Sequence, residues 1–236
     1  MARFRPPTWN GEPIPYDEPI EVLRTRVRAV GSAAGAAIRA LAEHPEPEAL
    51  KFLVDLARAR DPYLRRAALE AIGDHASGRD ASEVVLSLLH DRIGFVVRTA
   101  CDVAAVLGLA SAHDRILELV GASEEATRLS ALRALEGLWL SSDFEKVFAR
   151  CVGDRSDEVR KRAAWTLNKN VGRENWKRVY ESWSSDRLAR HRVWACSIAE
   201  RFGDRSALAS LNALRADLDG HVRHAAERAA KSMGES

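Results

Sequence analysis

An arginine returns along this chain at positions 65, 98, 128, 160, 192 and 223, each time inside the same short frame. The frame is clearest in Asp154-Arg-Ser-Asp-Glu-Val-Arg160-Lys-Arg-Ala163-Ala-Trp-Thr-Leu167. It reads as a loop aspartate, a Val-Arg step opening a helix, and then small and apolar residues at helical spacing. Successive arginines are separated by 33, 30, 32, 32 and 31 residues. A period of this size restricts the chain to a row of similar supersecondary units, each too small to bury its own apolar face.

Each unit reads as two helices. First helices are expected near 21–30, 48–59, 81–90, 112–121, 142–153, 173–185 and 205–216. Second helices are expected near 33–44, 62–74, 93–108, 124–138, 157–170, 188–202 and 219–233. Asp, Ser or Gly residues punctuate each join, as short helix–helix turns require. The result is an all-α fold, a right-handed α-solenoid (superhelix) of about seven stacked helix pairs over residues 19–236. Residues 1–18, dense in proline, precede it as an arm.

Comparison between registers separates core from outlier. Phe144, Val147, Phe148 and Cys151 are matched 32 residues later by Trp176, Val179, Tyr180 and Trp183, so both sets are the buried stripe of a first helix. Three places after the arginine stand Ala68, Cys101, Ala131, Ala163, Ala195 and Ala226. That slot is always small, which lets second helices approach closely and makes Cys101 and Cys196 buried small hydrophobes.

No run reaches the roughly 18 apolar residues of a membrane span, and the start lacks the apolar core of a secretory signal. Three cysteines, far apart and odd in number, imply neither a disulfide framework nor a zinc site. A reducing cytoplasm is the expected compartment. The formal charge of +2 hides an asymmetry: residues 155–236 carry 17 Lys+Arg against 11 Asp+Glu, and residues 1–154 carry 19 against 23. An anionic partner would meet the C-terminal third.

The frame Asp-x5-Val-Arg-x2-Ala-Ala resembles the HEAT repeat in its short bacterial form, the HEAT-like repeat named after phycobilisome lyase subunits. Asp61-Pro-Tyr-Leu-Arg-Arg-Ala-Ala-Leu-Glu-Ala-Ile-Gly73 carries the same likeness. The resemblance implies an Asp/Arg ladder between consecutive repeats, here Asp154/Arg160, Asp186/Arg192 and Asp217/Arg223. Asp61/Arg65 and Asp91/Arg98 depart in spacing, and Arg128 has Glu124 and Glu125 in place of Asp, so the ladder is expected to be irregular in the N-terminal half. The resemblance also implies that second helices line a concave binding face.

Catalytic signatures are absent. The chain has no phosphate-binding glycine loop, no Gly-x-Ser-x-Gly and no His-Glu-x-x-His. It also lacks the His-Glu dipeptides on which HEAT-repeat iron hydroxylases depend. Asp217-Leu-Asp219-Gly-His221 is the nearest approach to a metal cluster, and Asp219 is better explained as the N-cap of the last helix. No cofactor and no metal are expected.

What remains is a surface. Two and five places after the arginine, the second-helix slots are mostly small or polar, yet they hold Trp194 and Trp165 in consecutive repeats. Arg133, Lys161, Arg162, Lys169, Arg201, His224 and Arg228 fall on the same face of their helices. A basic face with aromatic anchors has the composition of an interface hot spot. The expected function is therefore a non-catalytic scaffold binding an acidic or extended protein segment on the concave face of its C-terminal repeats. Two alternatives come from resemblance. One is a nucleic-acid binder like the HEAT-like glycosylases for alkylated bases, for which Asp102 is the sole candidate carboxylate. The other is a subunit of a bilin lyase or isomerase.

Overall fold

The computed structural model describes residues 8–9, 11–28 and 32–234. These residues form fourteen α-helices and one two-residue antiparallel ladder, β1 (Thr8–Trp9) with β2 (Glu12–Pro13). The ladder packs on α2 (Ser32–Leu41); Phe4, a possible anchor of the proline-rich arm, lies outside the described residues. The chain divides into two compact units, Met1–Leu138 and Trp139–Ser236.

The first unit holds four helix pairs. They are α1 (Ile20–Arg28) with α2, α3 (Pro47–Ala57) with α4 (Pro62–Asp74), α5 (Ser82–Leu88) with α6 (Gly94–Leu107), and α7 (His113–Leu119) with α8 (Glu125–Leu138). The second holds three: α9 (Phe144–Gly153) with α10 (Asp157–Asn170), α11 (Trp176–Ser184) with α12 (Ala189–Phe202), and α13 (Leu208–Leu214) with α14 (Gly220–Ser232). Helix starts follow local chemistry. Asp61 and Asp219 accept the backbone N–H groups of Tyr63 and His221, each at 2.8 Å, and the Ser156 hydroxyl accepts that of Val159. Both α6 and α12 end at a glycine in the left-handed region, Gly108 and Gly203, each with φ of 63°.

In the first unit, α2, α4, α6 and α8 pack on one another in sequence, while the first helices hardly touch each other. The small slot explains the close row: Ala68, Cys101 and Ala131 are fully buried there, so the backbones meet without a long side chain between them. His75 adds a brace between repeats. Its Nδ1 accepts the Ser77 N–H at 3.0 Å and its Nε2 donates to the His44 carbonyl at 2.8 Å, which the Nε2-protonated tautomer satisfies at both ends.

In the second unit the expected first-helix core is in place except at Phe148, which is half-buried and stacks on Phe144 at 5.3 Å. Phe144, Val147 and Cys151 of α9 and Trp176, Val179, Tyr180 and Trp183 of α11 are buried, each large side chain contributing roughly 1.5–3 kcal/mol. Here the row of second helices is uneven. Helices α12 and α14 run together along their length, whereas α10 and α12 approach at few points. Ala163 and Ala195 are still fully buried, so the small slot is kept and the separation has another cause.

Candidate functional site

A cluster of rings lies at this separation. Trp165 on α10 and Trp194 on α12 meet edge to face with centroids 5.9 Å apart. Trp194 also lies 5.6 Å from the His191 ring, which stacks at 5.5 Å on Trp183 of α11. The slot two places after the arginine holds Ala100, Ser130 and Ala225 where second helices pack closely, and all three are buried. On α10 and α12 the same slot holds Arg162 and Trp194. Side chains of that size stand where α10 and α12 approach at few points, and the rings fill the space.

Trp165 remains 40% exposed and Trp194 is half-buried, so the pair presents aromatic surface to solvent from the outward side of α10 and α12. Lys169 stands over the Trp165 ring at 5.1 Å. Lys161 is exposed and pairs with Glu158 at 2.7 Å; Arg162 is half-buried. Arg201 lies over the ring of Phe202 at 5.1 Å, and partial burial pulls its pKa below the usual arginine value. On α14, His224 is exposed and Arg228 donates to Glu200 of α12 at 3.1 Å. The structure thus brings Trp165, Trp194 and Lys169 into contact, while Lys161, Arg162, Arg201, His224 and Arg228 are carried by the same three helices, α10, α12 and α14. Arg133 is exposed on α8 and belongs to the first unit, as does Asp102.

The ladder has a definite geometry. Arg192 donates Nε and Nη2 to the two carboxylate oxygens of Asp217 at 2.7 and 2.8 Å, and Nη1 to the Asp186 carbonyl at 2.7 Å. The bond within a repeat therefore goes to the main chain of the loop aspartate, as it also does for Arg223 on the Asp217 carbonyl. The carboxylate serves the arginine of the preceding repeat. This two-pronged grip raises the Arg192 pKa and lowers that of Asp217. The expected irregularity in the N-terminal half does not reach the first joint. Arg65 grips Asp91 at 2.7 and 3.0 Å and two loop carbonyls at 2.9 Å, because those carbonyls hold the guanidinium whatever the spacing of its own aspartate. Arg98 uses Glu124 at 2.6 Å, and Arg128 holds the carbonyls of Ala122 and Ser123.

One joint is open. Arg160 reaches its own Asp154 carbonyl and the nearby Asp157 carboxylate, and it makes no ion pair with Asp186. The Asp186 carboxylate is taken by the Leu188 N–H at 2.8 Å and by His191 Nδ1 at 3.0 Å. Between the α9–α10 turn and the α11–α12 turn lies a cleft of about 770 Å³, lined by residues that include Arg160, Arg187, Trp183, Leu188 and His191. Sequence reasoning missed this cleft, although one signal pointed to it. The residue just before each arginine is Leu64, Val97, Thr127, Val159, His191 and Val222, and the lone imidazole in that small apolar slot is the one that captures Asp186.

The thiols offer no chemistry. Burial pushes the Cys101 pKa up to about 12 and those of Cys151 and Cys196 to about 11. Among the described residues no group of His, Cys, Asp and Glu could hold a metal ion, and no helix is long and apolar enough to cross a membrane.

Comparison with known proteins agrees with the helix pairing. Residues 20–105 match the profile of HEAT repeats. No curated protein matches the sequence. Among solved structures, YibA of Escherichia coli is similar with a TM-score of 0.70 at 14% identity, over 92% of this chain and 81% of that one. The complex of CpcE and CpcF of phycocyanin lyase from Nostoc sp. PCC7120 gives 0.57 at 15% identity, over 99% of this chain and 100% of that one. Kap95p, solved bound to RanGDP, gives 0.61 at 13% identity, over 89% of this chain and 34% of that one. Identities this low speak for the fold alone. Repeating frame, paired helices and matching profile coincide: residues 20–105 are HEAT repeats, and the helix pairs that follow them continue the same architecture.

Proposed function

We propose that this HEAT-repeat scaffold acts by binding, and that it takes an acidic or extended segment of a protein partner across the outward faces of α10, α12 and α14. The observation that carries the reading is the edge-to-face pair of Trp165 and Trp194, solvent-facing yet held at a fixed geometry. A rigid aromatic pair loses little entropy when covered, and it offers a large apolar area for a partner to bury. Lys169, Arg201 and His224 around it favour a partner of negative charge and speed its encounter. Relatives in fold are found in complexes: Kap95p with RanGDP, and CpcE with CpcF.

The test is capture of partners from the native host by the immobilised protein, with identification by mass spectrometry. The captured set should be lost with Trp165→Ala, retained with Trp165→Phe, and weakened by rising salt. A set unchanged by Trp165→Ala would remove the ring pair from the site. Capture of nucleic acid in place of protein would overturn the choice of partner.

A further inference from the structure

We propose that the open joint of the second unit is a separate binding site, one that takes the C-terminal residue of a partner chain. The carboxylate would lie on Arg160 and Arg187, and the apolar side chain against Val152 and Leu188.

The argument starts from what the repeat arginine does elsewhere. Arg65 and Arg192 each hold a carboxylate of the following repeat with two parallel bonds, and their side chains are only 9% and 16% exposed. The loop carbonyls fix the guanidinium, and its remaining edge is shaped for a carboxylate. Arg160 is fixed by its loop in the same way through the Asp154 carbonyl. The acid that should complete it, Asp186, is engaged by His191 and Leu188. The edge of Arg160 that meets a carboxylate in other repeats therefore borders the cleft, where the side chain is 26% exposed. A depression of about 650 Å³ also borders the Arg65 joint, but there Asp91 already covers the arginine.

The other charged groups of the cleft wall have partners of their own. Asp154 accepts from the Ser156 N–H and from Arg150, and Lys161 is turned to Glu158. Asp157, 62% exposed, is then the one carboxylate shared by Arg160 and, at 3.6 Å, Arg187. An exposed pair of this kind is weak and readily exchanged. Asp157 thus marks where a carboxylate sits between two guanidinium groups, and it can swing into solvent when a better-placed one arrives.

The apolar lining decides which carboxylate. Val152 is 59% exposed and Leu188 38% exposed, and both border the cleft beside Trp183. A C-terminal residue carries a carboxylate and an apolar side chain on one Cα, and so meets both features at once. An acidic side chain sets its carboxylate at the end of a flexible stem and brings no apolar group with it. This site uses the turns at one end of the helices and does not rest on the proposed role of the Trp165 face.

The test uses the full chain and a fluorescein-labelled hexapeptide, Gly-Ser-Gly-Ser-Ala-Leu, followed by anisotropy. Saturable binding is expected with the free C-terminus, and binding about tenfold weaker or absent with the C-terminal amide. Arg160→Gln should abolish binding. Asp157→Asn should tighten it several-fold, an outcome that loss of folding cannot imitate. Equal binding of the amide, or no gain with Asp157→Asn, would overturn the proposal. So would equal binding of an amidated peptide with an internal Glu, which would assign the cleft to acidic side chains.

Discussion

Arg160 and Asp186 stand at the same two positions of the repeat as Arg192 and Asp217, yet the first pair does not meet and the second is joined by two bonds shorter than 3 Å. Two places beyond these arginines, Arg162 and Trp194 occupy slots that hold alanine or serine in the other repeats. Helices α10 and α12 approach at few points, and His191 holds the acid that pairs with the repeat arginine at the next joint.

The two joints should differ in energetic weight. Removing one side of the Arg192–Asp217 pair leaves a largely buried charge without its partner and should destabilise the second unit by about 2 kcal/mol. Arg160→Ala disrupts an exposed pair and one carbonyl bond, and should cost about 1 kcal/mol or less. Urea unfolding of the two variants, followed by far-ultraviolet circular dichroism, provides the comparison. Equal costs would mean that both joints carry the same load.

Trp194→Ala should close the open joint. With the wedge removed, α10 can settle against α12, and Arg160 should come within hydrogen-bond distance of Asp186. The variant should also lose about 2 kcal/mol of ring packing. A crystal structure of the variant gives the Arg160–Asp186 separation directly. An unchanged separation would show that the loops, not the rings, set the gap.

The three thiols should be inert in the folded protein. Each is buried, and each pKa lies at about 11 or 12, so the thiolate fraction near neutral pH is minute. A chromogenic disulfide reagent should report no fast thiol before denaturant and three after it. A rapid phase in the native protein would contradict the burial of Cys101, Cys151 or Cys196.

Acid should weaken the α12–α14 joint. The guanidinium of Arg192 holds Asp217 below the ordinary carboxylate range. For a group whose folded pKa is lowered, the stabilisation is present above the unfolded value, about 3.9. It is lost as the pH falls from there through the folded value. Asp217→Asn should remove this part of the acid dependence while lowering stability at neutral pH. Stability of the variant and the parent chain, measured from pH 7 down to pH 2, should converge at the acid end.

The sequence by itself determined the architecture, because architecture here is a repeated local decision. A Val-Arg step, an alanine three places on and an apolar stripe recur with the period of a helix pair, and each copy says the same thing about its neighbours. Counterparts one register away also identified Trp176 and Trp183 as core and set Trp165 and Trp194 apart from it. Tertiary structure alone decided what the outliers do to the joints. Whether Arg160 meets Asp186 depends on how far apart two helices stand, and on which of two donors, an imidazole or a guanidinium, arrives first at one carboxylate. Spacing along the chain holds no record of that competition, since it is settled by side-chain volumes summed across three helices.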